Sequence, residues 1–144
     1  MKTGKILAAG IIAIDKTTGK ILLVKRSPDC PQPYTWANVG GKMDPEDETI
    51  KKTAIREFKE EVQPDEPFLV SKKPFFINSN NFLTFYTFIG LFNNKFVPSL
   101  NDENLEARWF NLDDLPDHLM PECKLLFDTK KEDLKRFIAL HCKK

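Results

Sequence analysis

Apolar positions along the chain fall into blocks of two different periods. Ile6 to Ile14 is a run of small and β-branched residues, which reads as a buried strand. Asp15-Lys16-Thr17-Thr18-Gly19-Lys20 is a polar interruption and predicts a turn, with Gly19 taking positive φ. Ile21 to Val24 then predicts the returning strand of a hairpin. Ser27 to Pro33 holds three prolines and predicts a loop. Tyr34 to Val39 predicts a short strand that ends in Gly40-Gly41.

From Thr49 the period changes. Ile50, Ala54, Phe58 and Val62 recur every four residues, with Ile55 beside them, and predict a helix over 49–62 with one apolar face. Asp47 or Thr49 is suited to cap its start, and Pro64 lies just past its end. Aromatic and β-branched runs predict strands over 68–76 and 82–92, with a further short strand from Ala107 to Asn111. Leu112 to Pro116 predicts a turn of helix. Glu132 to His141 predicts a closing amphipathic helix with Leu134, Phe137, Ile138 and Leu140 inward. Strands interrupted by one helix and closed by another predict an α/β fold, a mixed sheet packed between helices.

Length and composition narrow this picture. A chain of 144 residues suits one domain over 1–144, and 41 % hydrophobic residues supply a core without disulfides or structural zinc. Cys30, Cys123 and Cys142 are odd in number and lack zinc spacing, so a reducing compartment and inert thiols are expected. No stretch approaches the roughly 18 apolar residues of a membrane span, and the start does not read as a secretory leader. These features predict a cytoplasmic protein. The formal net charge is +1, which argues against a nucleic-acid coat protein but leaves room for a local phosphate site. The Lys130-Lys131 and Lys143-Lys144 pairs read as solvated charge, and His118 and His141 as surface residues.

Candidate chemistry concentrates between Gly40 and Val62. Glu57, Glu60 and Glu61 fall within an arc of about 100° that borders the apolar stripe. Carboxylates so close repel one another, and a hard divalent cation converts that repulsion into binding. Mg²⁺ shares its shell with water and substrate phosphates, so the cluster points to phosphoryl chemistry. Alone, such a spacing is also what a solvated acidic face shows when it pairs with Lys51, Lys52 and Lys59. The preceding Gly40-Gly41 lets the backbone pass close to a phosphate or metal, and Lys42 adds a mobile positive charge.

The segment GGKMDPEDETIKKTAIREFKEEV resembles the Nudix box, G-x5-E-x7-R-E-U-x-E-E-x-G-U, where U is a bulky aliphatic residue. Gly41 opens it, Glu48 stands seven residues before Arg56, and Glu57, Phe58 and Glu60-Glu61 complete it. Lys25-Arg26, Trp36 and the run from Trp109 to Pro116 are similar to the family's framework. Three departures stand out: one extra residue before Glu48, Gln63 in place of the late glycine, and Phe58 in place of an aliphatic residue. Asp47 becomes the aligned acid if the insertion follows it. The resemblance implies an α/β/α sandwich, with Glu57, Glu60, Glu61 and the Gly40 carbonyl holding Mg²⁺. Mn²⁺ can replace Mg²⁺ at an all-oxygen site. It implies that Arg56 and Glu48 pair to orient the carboxylates. It further implies that the water's proton goes to Glu103, with Glu106, Glu60 and Glu61 as alternatives.

The resemblance further implies hydrolysis of a diphosphate linkage in a small nucleotide by a monomer or homodimer, with Arg26 and Lys42 on phosphate. A MutT-like triphosphate pyrophosphohydrolase, releasing a nucleoside monophosphate and pyrophosphate, is the favoured reading. Glu122 in Met120-Pro121-Glu122 is then placed to meet a purine edge, or it merely starts a helix. ADP-ribose, dinucleoside polyphosphates, nucleotide-capped RNA and a catalytically silent binding module are the alternatives. Trp109 and Phe110 are expected in the core.

Overall fold

The computed structural model describes residues 5–142. The elements are β1 (Ile6–Asp15), β2 (Ile21–Arg26), β3 (Trp36–Ala37), β4 (Val39–Lys42), α1 (Ile50–Val62), β5 (Leu69–Val70), β6 (Phe76–Ser79), β7 (Leu83–Phe92), β8 (Asn104–Phe110) and α2 (Pro121–His141). The strands form one mixed sheet with β1 at its centre. β1 runs parallel to β7 from Ile6↔Leu83 to Asp15↔Phe92. β2 pairs antiparallel with β8 and, at its end, with β3.

Both faces of the sheet are covered, which is why β1 is apolar at nearly every position. Ala9, Ile11 and Ala13 point to one layer, where Ala54, Phe58 and Val62 of α1 pack with Val24, Phe88 and Phe92. Phe68 stacks on Phe92 at 4.6 Å between ring centroids, and Phe58 lies 5.6 Å from Phe92. Ile12 and Ile14 point to the other layer, against Cys123, Leu126, Phe127 and Leu134 of α2. The β1–β2 turn closes on Asp15, whose carboxylate accepts from the hydroxyls of Thr17 and Thr18, while Gly19 takes φ 77°. The α/β/α sandwich is therefore present, and the Thr49 side chain caps α1 by accepting from the Lys52 amide at 3.1 Å.

Several expected boundaries shift for local reasons. The strand expected over 34–39 starts only at Trp36, because Tyr34 sits at φ 64°, and it breaks at Asn38. The following strand, β4, runs through both glycines. The strand expected over 68–76 is two short strands. The Ser71 hydroxyl donates to the Lys73 carbonyl and accepts from the Ile89 amide, so the chain steps out of register before Pro74. Leu112 to Pro116 forms a turn in which the Asp114 amide donates to the Asn111 carbonyl, not a turn of helix. α2 begins at Pro121, not Glu132. Cys123, Leu126 and Phe127 extend its apolar face toward the N-terminus, and Pro121 fits a first helical turn. Lys143 and Lys144 lie outside the described residues.

One irregularity of the sheet creates the functional cleft. β1 and β2 pair only at Ile14↔Ile21 and then part. From Ile11 to Ala8 the same edge of β1 is taken by β4, through Gly10↔Gly40 and Ala9↔Gly41. A Cβ at Gly40 would stand 2.6 Å from the Ala9 carbonyl oxygen and 2.7 Å from the Gly10 Cα, so this close pairing needs glycine. The fork between β2 and β4 is left open.

Candidate active site

A cleft of about 540 Å³ occupies this fork. Val24 and Arg26 of β2, Asn38, and Gly40, Gly41 and Lys42 of β4 form its floor. One wall carries Glu57 and Glu61 of α1 together with Glu103. The other carries Phe76 and Phe85 from the sheet and Met120, Glu122, Cys123 and Leu126 from the start of α2. The start of α2 is fixed there because the Trp36 amide donates to the His118 carbonyl at 2.7 Å and the Met120 amide to the Trp36 carbonyl at 2.8 Å.

The anchor of the acidic wall differs from the one expected. Glu48 does not pair with Arg56; it is exposed and forms an ion pair with Lys52 one turn along the helix. Asp47 takes the expected place. Arg56 grips it with two parallel bonds, Nε to Oδ1 at 3.0 Å and Nη2 to Oδ2 at 2.9 Å. Asp47 also accepts from Thr53 Oγ1 and from the Asp44 amide, each at 2.9 Å. Such a fork-to-fork pair is directional and strong. The Arg56 guanidinium, with these further donors, holds Asp47 well below the usual carboxylate range. Five residues separate Gly41 from Asp47, so the extra residue falls after Asp47.

Arg56 also reaches inward and outward. It donates from Nη2 to the Lys42 carbonyl at 3.0 Å and from Nη1 to Glu57 at 3.1 Å and Glu60 at 3.3 Å. The first of these bonds ties α1 to β4. The last turns Glu60 toward Arg56, and Glu60 does not line the cleft. The structure therefore brings together Glu57, Glu61 and Glu103, and leaves Glu60 beside them. With Glu60 turned away, no three His, Cys, Asp or Glu side chains among the described residues already form a metal cage.

Glu61 is the unusual member. It is 4 % exposed, one oxygen accepts from Asn104 Nδ2 at 3.0 Å, and the other is buried with no partner among the described residues. Burial pushes its carboxyl up to about 8; the Asn104 bond opposes that shift, and the negative charges of Glu103 and Glu57 add to it. Burial also raises Glu57, against the pull of Arg56. A Cβ at Gly41 would run into the Glu57 carboxyl group, so this glycine gives the carboxylate its room. Two half-satisfied carboxylates of hard oxygen, open to a cleft, fit a Mg²⁺ that completes its shell with phosphate and water.

The remaining sites are distributed plainly. Arg26 lines the cleft and donates from Nε to the Pro31 carbonyl at 2.8 Å, leaving its terminal nitrogens outside that bond. Lys42 is exposed at the cleft edge. Glu106 is tied to Arg108 and does not line the cleft. Trp109 lies against the α1 core and donates to the Phe96 carbonyl at 3.2 Å; Phe110 packs edge-on to Trp36. His118 and His141 are exposed, and burial pushes the Cys123 thiol up to about 12, where it is inert. Sequence reasoning missed Asn38 and Asn104. The Asn38 Nδ2 and Glu122 Oε1 atoms belong to residues that line the cleft and are buried without partners among the described residues. Neither asparagine belongs to a periodic or spaced pattern, so only the folded arrangement marks it.

Comparison with known proteins accords with this geometry. The family model described as NUDIX domain matches residues 4–130. No curated protein sequence matches the chain. Among solved structures, a Nudix hydrolase from M. smegmatis, RenU, is 25 % identical with a TM-score of 0.78, over 94 % of this chain and 89 % of that one. A MutT Nudix hydrolase from Burkholderia pseudomallei is 24 % identical with a TM-score of 0.64, over 87 % and 97 %. A C. elegans Ap4A hydrolase is 23 % identical with a TM-score of 0.67, over 92 % and 96 %. At these identities the last two establish likeness of fold alone. With the family model spanning most of its length, the chain belongs to the Nudix family of phosphoanhydride hydrolases.

Proposed function

We propose that this enzyme hydrolyses a nucleoside triphosphate in the presence of Mg²⁺, releasing the nucleoside monophosphate and pyrophosphate. The observation that carries this reading is the asymmetry of the cleft. Its acidic wall suits a cation-bound polyphosphate, and its apolar wall suits a base. The orphaned Asn38 Nδ2 on the floor and Glu122 Oε1 on that apolar wall offer a donor and an acceptor, the pairing a nucleobase edge requires. About 540 Å³ accommodates one nucleotide.

In this reading Glu57 and Glu61, with the Gly40 carbonyl and Glu60 at the rim, hold the metal. Mg²⁺, when bound, offsets charge on the phosphates and lowers the pKa of an attacking water. Arg56 and Asp47 fix the helix carboxylates against β4. Arg26 and Lys42 hold phosphate oxygens. Glu103, exposed on a loop and lining the same acidic wall as Glu57 and Glu61, accepts the proton of the attacking water. Mn²⁺ substitutes for Mg²⁺ in such an oxygen-only site.

The test is a hydrolysis panel of ribo- and deoxyribonucleoside triphosphates, 8-oxo-dGTP, ADP-ribose and dinucleoside polyphosphates with Mg²⁺, every product being identified. A monophosphate and pyrophosphate from one triphosphate is the expected result. Turnover confined to ADP-ribose or dinucleoside polyphosphates contradicts the substrate class while keeping the family.

A further inference from the structure

The C-terminal turn of α1 carries a residue that costs conformational energy. Gln63 adopts φ 46° and ψ 66°, the left-handed region, which a non-glycine residue enters at about 1 kcal/mol. Glycine would sit there without that cost. What glycine would lack is the side chain, and here the side chain has a partner: Gln63 Nε2 donates to the Ser99 carbonyl at 2.9 Å.

That bond is one of several between the end of α1 and the segment that leads into Glu103. The Ser99 amide donates to the Val62 carbonyl at 2.9 Å, and the Asn101 amide to the Glu61 carbonyl at 3.2 Å. These are carbonyls that the helix end leaves without intrahelical donors. Asn101 Oδ1 then accepts from the Glu103 amide at 3.1 Å, and Asn104 Nδ2 reaches back to Glu61 at 3.0 Å. On its far side, the Glu103 carbonyl accepts from the Ser27 amide at 2.9 Å. The loop carrying Glu103 is thus stitched to the same helical turn that carries Glu61. Gln63 closes the pattern at Ser99, donating to that residue's carbonyl while the Val62 carbonyl accepts from its amide.

We infer that Gln63 is a positioning residue: its side chain clamps the 99–104 segment to α1 and thereby sets where the Glu103 carboxylate stands relative to Glu57 and Glu61. This rests on the reading of Glu103 as the acceptor of the water's proton. A one-ångström misplacement of such a group is costly to the chemical step and nearly neutral for binding. Substitution of Gln63 therefore acts on kcat.

The experiment compares the full chain with Gln63→Gly, Glu103→Gln and the double variant. Amide hydrogen exchange over 99–104 reads the clamp without any substrate. Tm, kcat and KM, on the nucleotide of the panel that is turned over fastest, read its consequence. In Gln63→Gly, relief of the left-handed backbone offsets the lost bond, so Tm stays within about 2 °C. Exchange at 99–104 rises, kcat falls about 3- to 10-fold, the scale of one neutral hydrogen bond, and KM stays within about twofold. Added to Glu103→Gln, the same change lowers kcat no further. Unchanged exchange in Gln63→Gly overturns the clamp. Unchanged kcat in Glu103→Gln overturns the role of Glu103. Raised exchange together with a kcat loss that persists in the double variant overturns the link between the two.

Discussion

Asp47 stands in the loop before the arginine-bearing helix α1 and Glu61 in its last turn, and the surroundings of the two carboxylates are opposite. Asp47 accepts from Arg56 twice, from Thr53 and from the Asp44 amide, and is held as an anion far below its ordinary range. Glu61 is buried with one amide donor, and its second oxygen has none among the described residues, so its anion is disfavoured. The contrast teaches how a run of acidic residues divides its labour. The satisfied carboxylate is structural and asks for nothing more. The unsatisfied one is left short of positive charge at the place where a cation and a polyphosphate would supply it.

The largest way to break this contrast is Glu61→Gln. The amide keeps an oxygen for Asn104 and removes the need for a counter-charge. Activity should fall at least about 100-fold, while the metal-free variant melts at or above the wild-type temperature near pH 8. Loss of folding instead of activity would make Glu61 structural. Asp47→Ala comes next. It frees Arg56 from its anchor, and circular dichroism should show a lower Tm, with activity falling about 10- to 100-fold as for other groups that orient metal ligands. Glu48→Ala is the matched control. It removes only an exposed helix pair with Lys52, and both Tm and rate should stay near wild type. Equal effects at 47 and 48 would dissolve the assignment of the extra residue to a position after Asp47.

Proton linkage sharpens the same contrast at smaller amplitude. Glu61 is raised to about 8 and Glu57 is raised as well. A carboxyl raised in the folded state binds a proton there that the unfolded chain has released. Its stabilising contribution is complete below about pH 4.5 and is lost as pH rises toward 8. Asp47, lowered by Arg56, behaves oppositely: its contribution is present above the ordinary carboxylate range and is lost only in acid. Melting without metal should therefore show stability declining between about pH 5 and 8, and Mg²⁺ should raise Tm more at pH 8 than at pH 5.5. A metal effect independent of pH would contradict the assignment of the raised carboxyls to the metal wall.

Much of this was legible in the sequence, because periodicity and fixed spacing are local. The four-residue repeat from Ile50 to Val62 gave α1, and the acidic positions along it placed Glu57 and Glu61 beside the apolar stripe. What the sequence left hidden depends on contacts between distant segments. Asp47 and Glu48 are adjacent acids, and only the reach of Arg56 across the loop decides between them. Glu60 carries the right spacing, yet the same guanidinium turns it aside. Asn104 is an isolated polar residue until β8 brings it under Glu61. The early half of α2 was obscured by Thr129-Lys130-Lys131, which interrupts the apolar repeat between Phe127 and Leu134.

The proposed role of the buried, half-satisfied Glu61 is to bind a cation. The direct measurement is isothermal titration of the metal-free protein with Mn²⁺ alone at pH 7.5, comparing wild type, Glu61→Gln and Glu48→Ala. One-site binding in wild type and Glu48→Ala, weakened at least about 10-fold in folded Glu61→Gln, is the predicted result. Equal Mn²⁺ affinity in Glu61→Gln and wild type would contradict it.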